Sequence, residues 1–406
     1  MNRWLGVFIM ALFFTGCFDS VHLPRCKVLA DCPVTSLSCE QGYCFNDQPT
    51  CDSNALDGCC PTNGDRSNDA DCLIHQIDLQ KSISTITTKP ATFGPPVVDG
   101  DYLYLEASTS KGLVMIGFDA DKTEVSKPYS AGTARQPAAV GGYCLFPLGD
   151  AFSLWGPGME VILTDKTTPI VQAVGYNGVN GIMFYAVTKD GDVVSIDTDG
   201  KVSDLTENNN IDRVLVQPKN STLIACDQDH CEFFDLTSTP PDSSRTIEFE
   251  RSATGIVHAN GDYLWVPSGE GLDVYSIDPV TQKRITTVNL NGEITKSGNF
   301  GSDQVWVIAG DSVTIVSVNG KNVEKQVLDD TKGPLTALNV CNGLAVLGDT
   351  TGLYLDSADR WDWNMKISDP SDQPFSNTAL VVWGARLCYV SQAGALMGIP
   401  LNCEVQ

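Results

Sequence analysis

The chain repeats itself with a period of about 40 residues, and this repeat limits the possible folds more than any other feature. Short apolar runs begin 41, 39, 41, 40, 42, 39 and 43 residues apart. The runs are rich in Val, Ile and Tyr and are bounded by Gly, Asp and Asn, which is the composition of short β-strands. They start at Tyr102, Tyr143, Ile182, Leu223, Tyr263, Val305, Leu344 and Leu387.

A period near 40 residues with about four short strands is typical of a β-propeller blade. Eight repeats predict an all-β, eight-bladed β-propeller over residues 74–406. Seven blades are the fallback, because the second repeat is the least regular. The last repeat ends one strand short of a full blade. We expect the alternating segment 82–88, which precedes the first repeat, to supply that outer strand and close the ring.

The first 17 residues have the pattern of an export signal. Arg3 places a positive charge near the N-terminus. An apolar run of ten residues follows, and then two small residues and Cys17. A run this short cannot span a bilayer, which takes about 20 residues. The stretch resembles a bacterial lipoprotein signal peptide. This resemblance implies removal of residues 1–16, lipid on Cys17, and anchoring to the outer membrane on its periplasmic or cell-surface side.

The cysteine count supports an oxidising compartment. Of fifteen cysteines, fourteen remain when Cys17 is set aside, enough for seven disulfides. Eight of them lie within residues 17–73, a segment with few apolar side chains, and this predicts a disulfide-stapled stalk with zinc as the alternative. Its run CKVLADCPVTSLSCEQGYC resembles the short cysteine-rich modules of surface lipoproteins from myxobacteria.

The six later cysteines lie within the predicted propeller. Cys226 and Cys231 flank what we expect to be a hairpin turn, so they predict a cross-strand disulfide. The other four then pair in one of three ways. These four are Cys144, Cys341, Cys388 and Cys403.

Acidic residues lie in or beside six of the eight turns predicted between the second and third strands of the blades. In a propeller these turns share a face with the mouth of the central channel. Asp and Gly favour such turns for local backbone reasons. The functional alternative is an acidic rim that attracts a basic partner or cations. The residues are Asp150, Asp190, Asp192, Asp227, Asp229, Glu270, Asp311 and Asp349.

The net charge of the chain limits the classes of partner that it can bind. The formal net charge is −24 at pH 7, a field that repels phosphate and makes nucleic acid a poor partner. Since no long apolar run follows residue 17, contact with the membrane is expected through the N-terminal lipid only.

No catalytic motif stands out in the sequence. None of the four histidines lies in a metal-binding or nucleophile-activating motif, so we expect neither a metal nor a cofactor. The segment DYLWVPSGEGLDVYSIDPVTQK resembles the repeats of pyrroloquinoline-quinone-type propellers. That resemblance implies the fold but not the chemistry, because the tryptophan-docking motif of the quinoprotein enzymes is not evident.

These observations predict a non-enzymatic lipoprotein whose propeller binds a protein or polysaccharide of the cell envelope. One alternative is a propeller enzyme, either a quinoprotein dehydrogenase or a carbohydrate-active hydrolase or lyase. The other is a scaffold for outer-membrane assembly, because a known assembly lipoprotein is also an eight-bladed propeller.

Overall fold

The computed structural model describes most of the chain beyond residue 90 and short segments before it. The described residues are 38–40, 43–45, 77–79, 91–121, 124–130, 132–206, 210–269, 271–277, 283–290, 292–300, 304–309, 312–319, 322–328, 337–341, 344–349, 352–357, 360–366, 380–383, 386–391 and 394–400. The predicted signal peptide and Cys17 lie outside them. No helix among these residues is long and apolar enough to cross a bilayer.

The chain divides into two compact units, residues 1–47 and residues 48–406. In the first unit, β1 (Ser38–Glu40) and β2 (Tyr43–Phe45) form an antiparallel hairpin. The division falls upstream of residue 73, where the composition of the sequence changes.

The described strands of the second unit form eight antiparallel sheets. The strands of the first half are β3 (Ile77–Asp78), β4 (Thr92–Phe93), β5 (Val97–Asp99), β6 (Tyr102–Thr109), β7 (Gly112–Phe118), β8 (Glu124–Tyr129), β9 (Ala138–Val140), β10 (Tyr143–Pro147), β11 (Phe152–Gly156), β12 (Glu160–Asp165), β13 (Ile170–Gly178), β14 (Gly181–Thr188), β15 (Val193–Asp197), β16 (Val202–Thr206), β17 (Arg213–Gln217), β18 (Thr222–Cys226), β19 (His230–Asp235) and β20 (Asp242–Glu248).

The strands of the second half are β21 (His258–Asn260), β22 (Tyr263–Ser268), β23 (Gly271–Ser276), β24 (Arg284–Asn289), β25 (Ile294–Phe300), β26 (Gln304–Ala309), β27 (Ser312–Asn319), β28 (Asn322–Leu328), β29 (Ala337–Cys341), β30 (Leu344–Asp349), β31 (Gly352–Ser357), β32 (Arg360–Lys366), β33 (Val381–Trp383), β34 (Arg386–Val390) and β35 (Ala395–Pro400). In the described part of the chain, two short 3-10 helices, Pro157–Met159 and Pro218–Asn220, lie between strands.

The sheets follow one another along the chain and are numbered here in that order. Sheet 1 contains β4 to β8, and sheets 2 to 7 contain four strands each, from β9 to β12 through β29 to β32. Sheet 8 contains β33, β34 and β35 with β3 at its edge. The first strands of neighbouring sheets contact each other from β33 through β5, β9, β13, β17 and β21 to β25. This arrangement is that of a β-propeller, as predicted.

Each apolar run found in the sequence forms the second strand of its sheet, and the packing explains why. In β18, Leu223 and Ala225 pack against sheet 3, whereas Ile224 and Cys226 pack against sheet 5. Both faces of the strand are therefore buried between neighbouring sheets, so its residues are apolar without alternation.

Sheet 8 joins the two ends of the described propeller. Its edge strand β3 pairs with the last strand, Ile77 opposite Leu396 and Asp78 opposite Ala395. The indole Nε1 of Trp383 in the same sheet donates a hydrogen bond of 2.9 Å to the carbonyl oxygen of Asp101, between β5 and β6 of sheet 1. The predicted closing segment 82–88 lies outside the described residues. The observed closing strand comes from residues just before it.

A buried carboxyl group lies at the junction of sheets 1 and 2. Glu106 of β6 has no exposed surface, and its Oε2 accepts a hydrogen bond of 2.7 Å from the backbone N–H of Arg135. Its Oε1 is buried without a hydrogen-bond partner in the described part of the chain. Burial raises the pKa of Glu106 to about 8, although the Arg135 N–H and the charge of Arg135 act in the opposite direction.

Candidate functional site

The turns between second and third strands lie at one end of the ring, which we call the acidic end. In an antiparallel sheet, this turn is at the same end as the connection that leaves the fourth strand. The two are joined by backbone hydrogen bonds in three consecutive sheets. Gly149 N donates to Ile170 O (2.9 Å), Ile211 N to Gly191 O (3.2 Å), and Ala253 N to Gln228 O (2.6 Å).

The predicted acidic residues lie where the sequence placed them, as far as the structure describes them. Asp150, Asp190 and Asp229 are exposed in these turns, while Asp192 and Asp227 are partly buried. Glu270 and Asp311 lie outside the described residues, and Asp349 is described only as the end of β30.

Two of the exposed carboxylates contact neighbouring hydroxyl groups. Asp150 Oδ1 accepts a hydrogen bond of 3.2 Å from the Tyr129 hydroxyl. Burial and then the Asp150 charge raise the pKa of Tyr129. Asp229 Oδ1 accepts a hydrogen bond of 2.5 Å from the Ser252 hydroxyl, which lies on the connection to sheet 5.

Asp227 has a structural role in its turn. Its Oδ1 accepts hydrogen bonds from the backbone N–H groups of Asp229 (2.7 Å) and His230 (2.8 Å). Its Oδ2 is 2.9 Å from Nδ1 of His230. Local turn chemistry therefore accounts for this member of the predicted rim.

The turn of sheet 4 is also closed by the predicted disulfide. Cys226 and Cys231 are opposite each other in β18 and β19 and are disulfide-bonded. The prediction that Cys144 belongs to a further disulfide is wrong, because Cys144 is a buried thiol. A buried cysteine packs as a small hydrophobic residue and needs no covalent partner. Burial raises the pKa of the Cys144 thiol well above its ordinary range.

A cavity of about 690 Å³ lies along the ring axis. Its wall comes from the first strands of sheets 1 to 6 and from residues beside them. Asp212 and Arg213, at the start of β17, line it, and Asp212 N donates to Cys226 O beside the sheet 4 turn (3.0 Å). This part of the cavity therefore lies at the acidic end.

An ion pair is fixed at this part of the cavity wall. Arg213 Nε donates to Asp212 Oδ1 (2.6 Å), and Arg213 Nη2 donates to Asp212 Oδ2 (3.2 Å). Arg213 Nη1 donates to the carbonyl oxygen of Gly255 (2.9 Å) on the connection between sheets 4 and 5. The next residue, Ile256, lines the cavity and is 56% exposed.

The remaining polar side chains of the cavity wall form hydrogen bonds between neighbouring sheets. His258 Nε2 is 2.7 Å from the Ser297 hydroxyl, which links sheets 5 and 6. Burial, and then the charge of Arg213, lower the pKa of His258 to about 4, so its imidazole is neutral at pH 7. Gln172 accepts a hydrogen bond from Val214 N (2.8 Å) and donates one to Val214 O (3.0 Å), which joins sheets 3 and 4.

The sequence interpretation missed these cavity residues. Gln172, Arg213, His258 and Ser297 lie 41, 45 and 39 residues apart, so a polar residue recurs with the repeat before four of the eight apolar runs. That spacing is the signal from which they could have been found. Within the described residues, no cluster of His, Cys, Asp and Glu is arranged to hold a metal ion.

The fold and its axial cavity define the chain as a β-propeller. It is similar to the crystal structure of BamB from Moraxella catarrhalis, with 15% identity, a TM-score of 0.52, and coverage of 76% of this chain and 92% of that one. It is also similar to the dihydro-heme d1 dehydrogenase NirN in complex with DHE (12% identity, TM-score 0.54, 72% of this chain and 69% of that one).

A third similar structure is the C-terminal WD40 domain of Sif2, with 11% identity, a TM-score of 0.53, and coverage of 76% of this chain and 97% of that one. No family model and no curated protein sequence matches the chain. At these identities the likeness establishes the fold alone.

Proposed function

We propose that this protein is a lipid-anchored protein of the cell envelope whose propeller binds a basic partner protein at the acidic end of the ring. The observation that carries the proposal is the composition of that end. An exposed apolar side chain, Ile256, lies at the cavity opening, and exposed carboxylates occupy the turns of three consecutive sheets.

This combination has the anatomy of a protein interface. Binding surfaces have an apolar centre, which loses its water on association, and a polar rim that sets orientation and association rate. The chain also carries a formal net charge of −24, so a basic partner is attracted over a long range. Asp227 is excluded from the proposed contact surface, because its carboxylate is used within its own turn.

The envelope location rests on the N-terminal sequence and on the Cys226–Cys231 disulfide, since disulfides persist in oxidising compartments. A quinoprotein or carbohydrate-active enzyme is the competing prediction. It is tested by dehydrogenase turnover after quinone reconstitution and by release of reducing sugar from envelope polysaccharide.

The binding proposal is tested with two triple variants of the full-length, lipid-bearing chain. The first is Asp150→Asn, Asp190→Asn and Asp229→Asn at the acidic end. The matched control is Asp101→Asn, Asp199→Asn and Asp262→Asn, which removes three exposed charges from turns at the opposite end of the ring. Both variants change the net charge equally.

Capture of envelope proteins by each variant is measured at several salt concentrations. The acidic-end variant should capture about tenfold less of its partner at low salt and show a flatter salt dependence, because rim charges contribute up to about 1 kcal/mol each. The control should bind within twofold of the unmodified chain. Equal losses in both variants, or no loss in either, would contradict the proposal.

A further inference from the structure

The axial cavity has the dimensions of a small-molecule site. Its volume of about 690 Å³ lies inside the range of roughly 300 to 1,000 Å³ that holds drug-sized ligands. Six sheets contribute to its wall, so the ring fixes its shape and a ligand would find it largely preformed.

Most of the wall is aliphatic. Val174, Leu215 and Val216 line it from the first strands, Pro137 from the start of sheet 2, and Ile256 from its opening. Burying an apolar ligand body against such a wall is favourable at about 25 cal/mol per Å² of apolar surface removed from water.

The charges of the wall are already balanced. The Arg213 guanidinium is paired with both carboxylate oxygens of Asp212. His258 is neutral at pH 7, because burial and then the charge of Arg213 lower its pKa to about 4. A charged ligand would lose its hydration without gaining a counter-ion in this part of the wall, which costs several kcal/mol.

The wall nevertheless offers fixed hydrogen-bond donors. The contacts with Asp212 and Gly255 use three of the five guanidinium N–H groups of Arg213. The other two can be donated to an oxygen of a ligand. Because the guanidinium is held on two sides, little side-chain entropy is lost when a ligand binds.

From this geometry we infer that the axial cavity binds a neutral small molecule with a mainly apolar body and a carbonyl or hydroxyl oxygen that accepts a hydrogen bond from Arg213. This site shares Ile256, at the cavity opening, with the protein-binding surface proposed above. It needs no partner protein and does not use the acidic turns.

The test uses Nile red, a neutral apolar dye with a carbonyl group, titrated into the purified full chain and followed by its fluorescence. The critical variant is Ile256→Asp, which puts a charge at the cavity opening on a side chain that is 56% exposed. The matched control is Val179→Asp, because Val179 is a 76% exposed aliphatic residue in the turn between β13 and β14, at the opposite end of the ring.

We expect saturable binding at one site, a loss of at least about tenfold in Ile256→Asp, and a change of less than twofold in Val179→Asp. The acidic-end triple variant should bind Nile red as the unmodified chain does, which separates this inference from the protein-binding proposal. The anionic dye 1-anilinonaphthalene-8-sulfonate should bind at least tenfold more weakly than Nile red.

Three results would overturn the inference: no saturable binding of Nile red, equal affinity for the anionic dye, or equal effects of the two aspartate substitutions. Since both positions are on the surface, the unfolding midpoints should stay within about 2 °C of each other. If the unfolding midpoint shifted only in Ile256→Asp, a second variant, Arg213→Met, would test the inference instead. It removes the hydrogen-bond donor of the cavity wall and should also weaken Nile red binding.

Discussion

The stability of the Glu106→Gln variant relative to the unmodified chain should increase as the pH rises from 5 to 8. Glu106 is fully buried at the junction of sheets 1 and 2, and its pKa rises from 4.5 to about 8 in the folded chain. Below pH 4.5 the folded and unfolded chains both carry a protonated Glu106. Between pH 4.5 and 8 the unfolded chain releases this proton and the folded chain retains it, so folding becomes less favourable as pH rises.

The size of this effect follows from the pKa shift. Each pKa unit corresponds to about 1.4 kcal/mol, so the unmodified chain should lose on the order of 4 kcal/mol of stability from Glu106 between pH 5 and pH 8. The substituted glutamine cannot titrate, and its carbonyl oxygen can still accept the Arg135 N–H. The cost of its buried amide is independent of pH and cancels when the two pH values are compared.

Urea unfolding of both proteins at pH 5, 6, 7 and 8, followed by tryptophan fluorescence at constant ionic strength, measures this difference. The stability of Glu106→Gln relative to the unmodified chain should increase steadily over this range. Glu160→Gln is the control, because Glu160 is an exposed residue of β12. If the gap between Glu106→Gln and the unmodified chain were the same at pH 5 and pH 8, the reasoning would be refuted.

Two further predictions concern the anchor and the sheet 4 turn. Cys17→Ser in the full-length chain should move the protein from the membrane fraction to the soluble fraction and abolish labelling by radioactive palmitate, because the acylated thiol is lost. Unchanged fractionation and labelling would exclude Cys17 as the lipid site. Asp227→Ala should lower the free energy of unfolding by about 1 to 3 kcal/mol, because two backbone N–H groups and His230 lose their acceptor. Asp190→Ala, in the exposed turn of sheet 3, should change it by less than about 0.5 kcal/mol in the same urea titration, and equal effects would show that the Asp227 contacts contribute nothing.

The sequence revealed the second strands because their burial on both faces leaves an uninterrupted apolar run. The first strands were less evident, since they are short or carry polar residues toward the channel, as β17 does with Arg213 and β21 with His258. The axial cavity was therefore missed although the fold was predicted.

Local chemistry was easier to predict than distant contacts. The Cys226–Cys231 disulfide follows from a five-residue separation across one hairpin, where the pairing of β18 with β19 itself brings the two cysteines together. Counting cysteines cannot distinguish a disulfide from buried thiols, and it failed for Cys144. Similarly, turn composition placed Asp227 correctly, but only its hydrogen bonds distinguish a turn-stabilising role from a binding role.

The pairing of β3 with β35 has a mechanical consequence. Among the described strands of the second unit, β3 is the first that tension applied to the chain upstream of Ile77 would reach. The two register pairs, Ile77 with Leu396 and Asp78 with Ala395, therefore bear the load first. A steady pull would detach β3 and leave β35 as an open edge. The β3–β35 pair is therefore the point at which force would begin to open the described part of the ring.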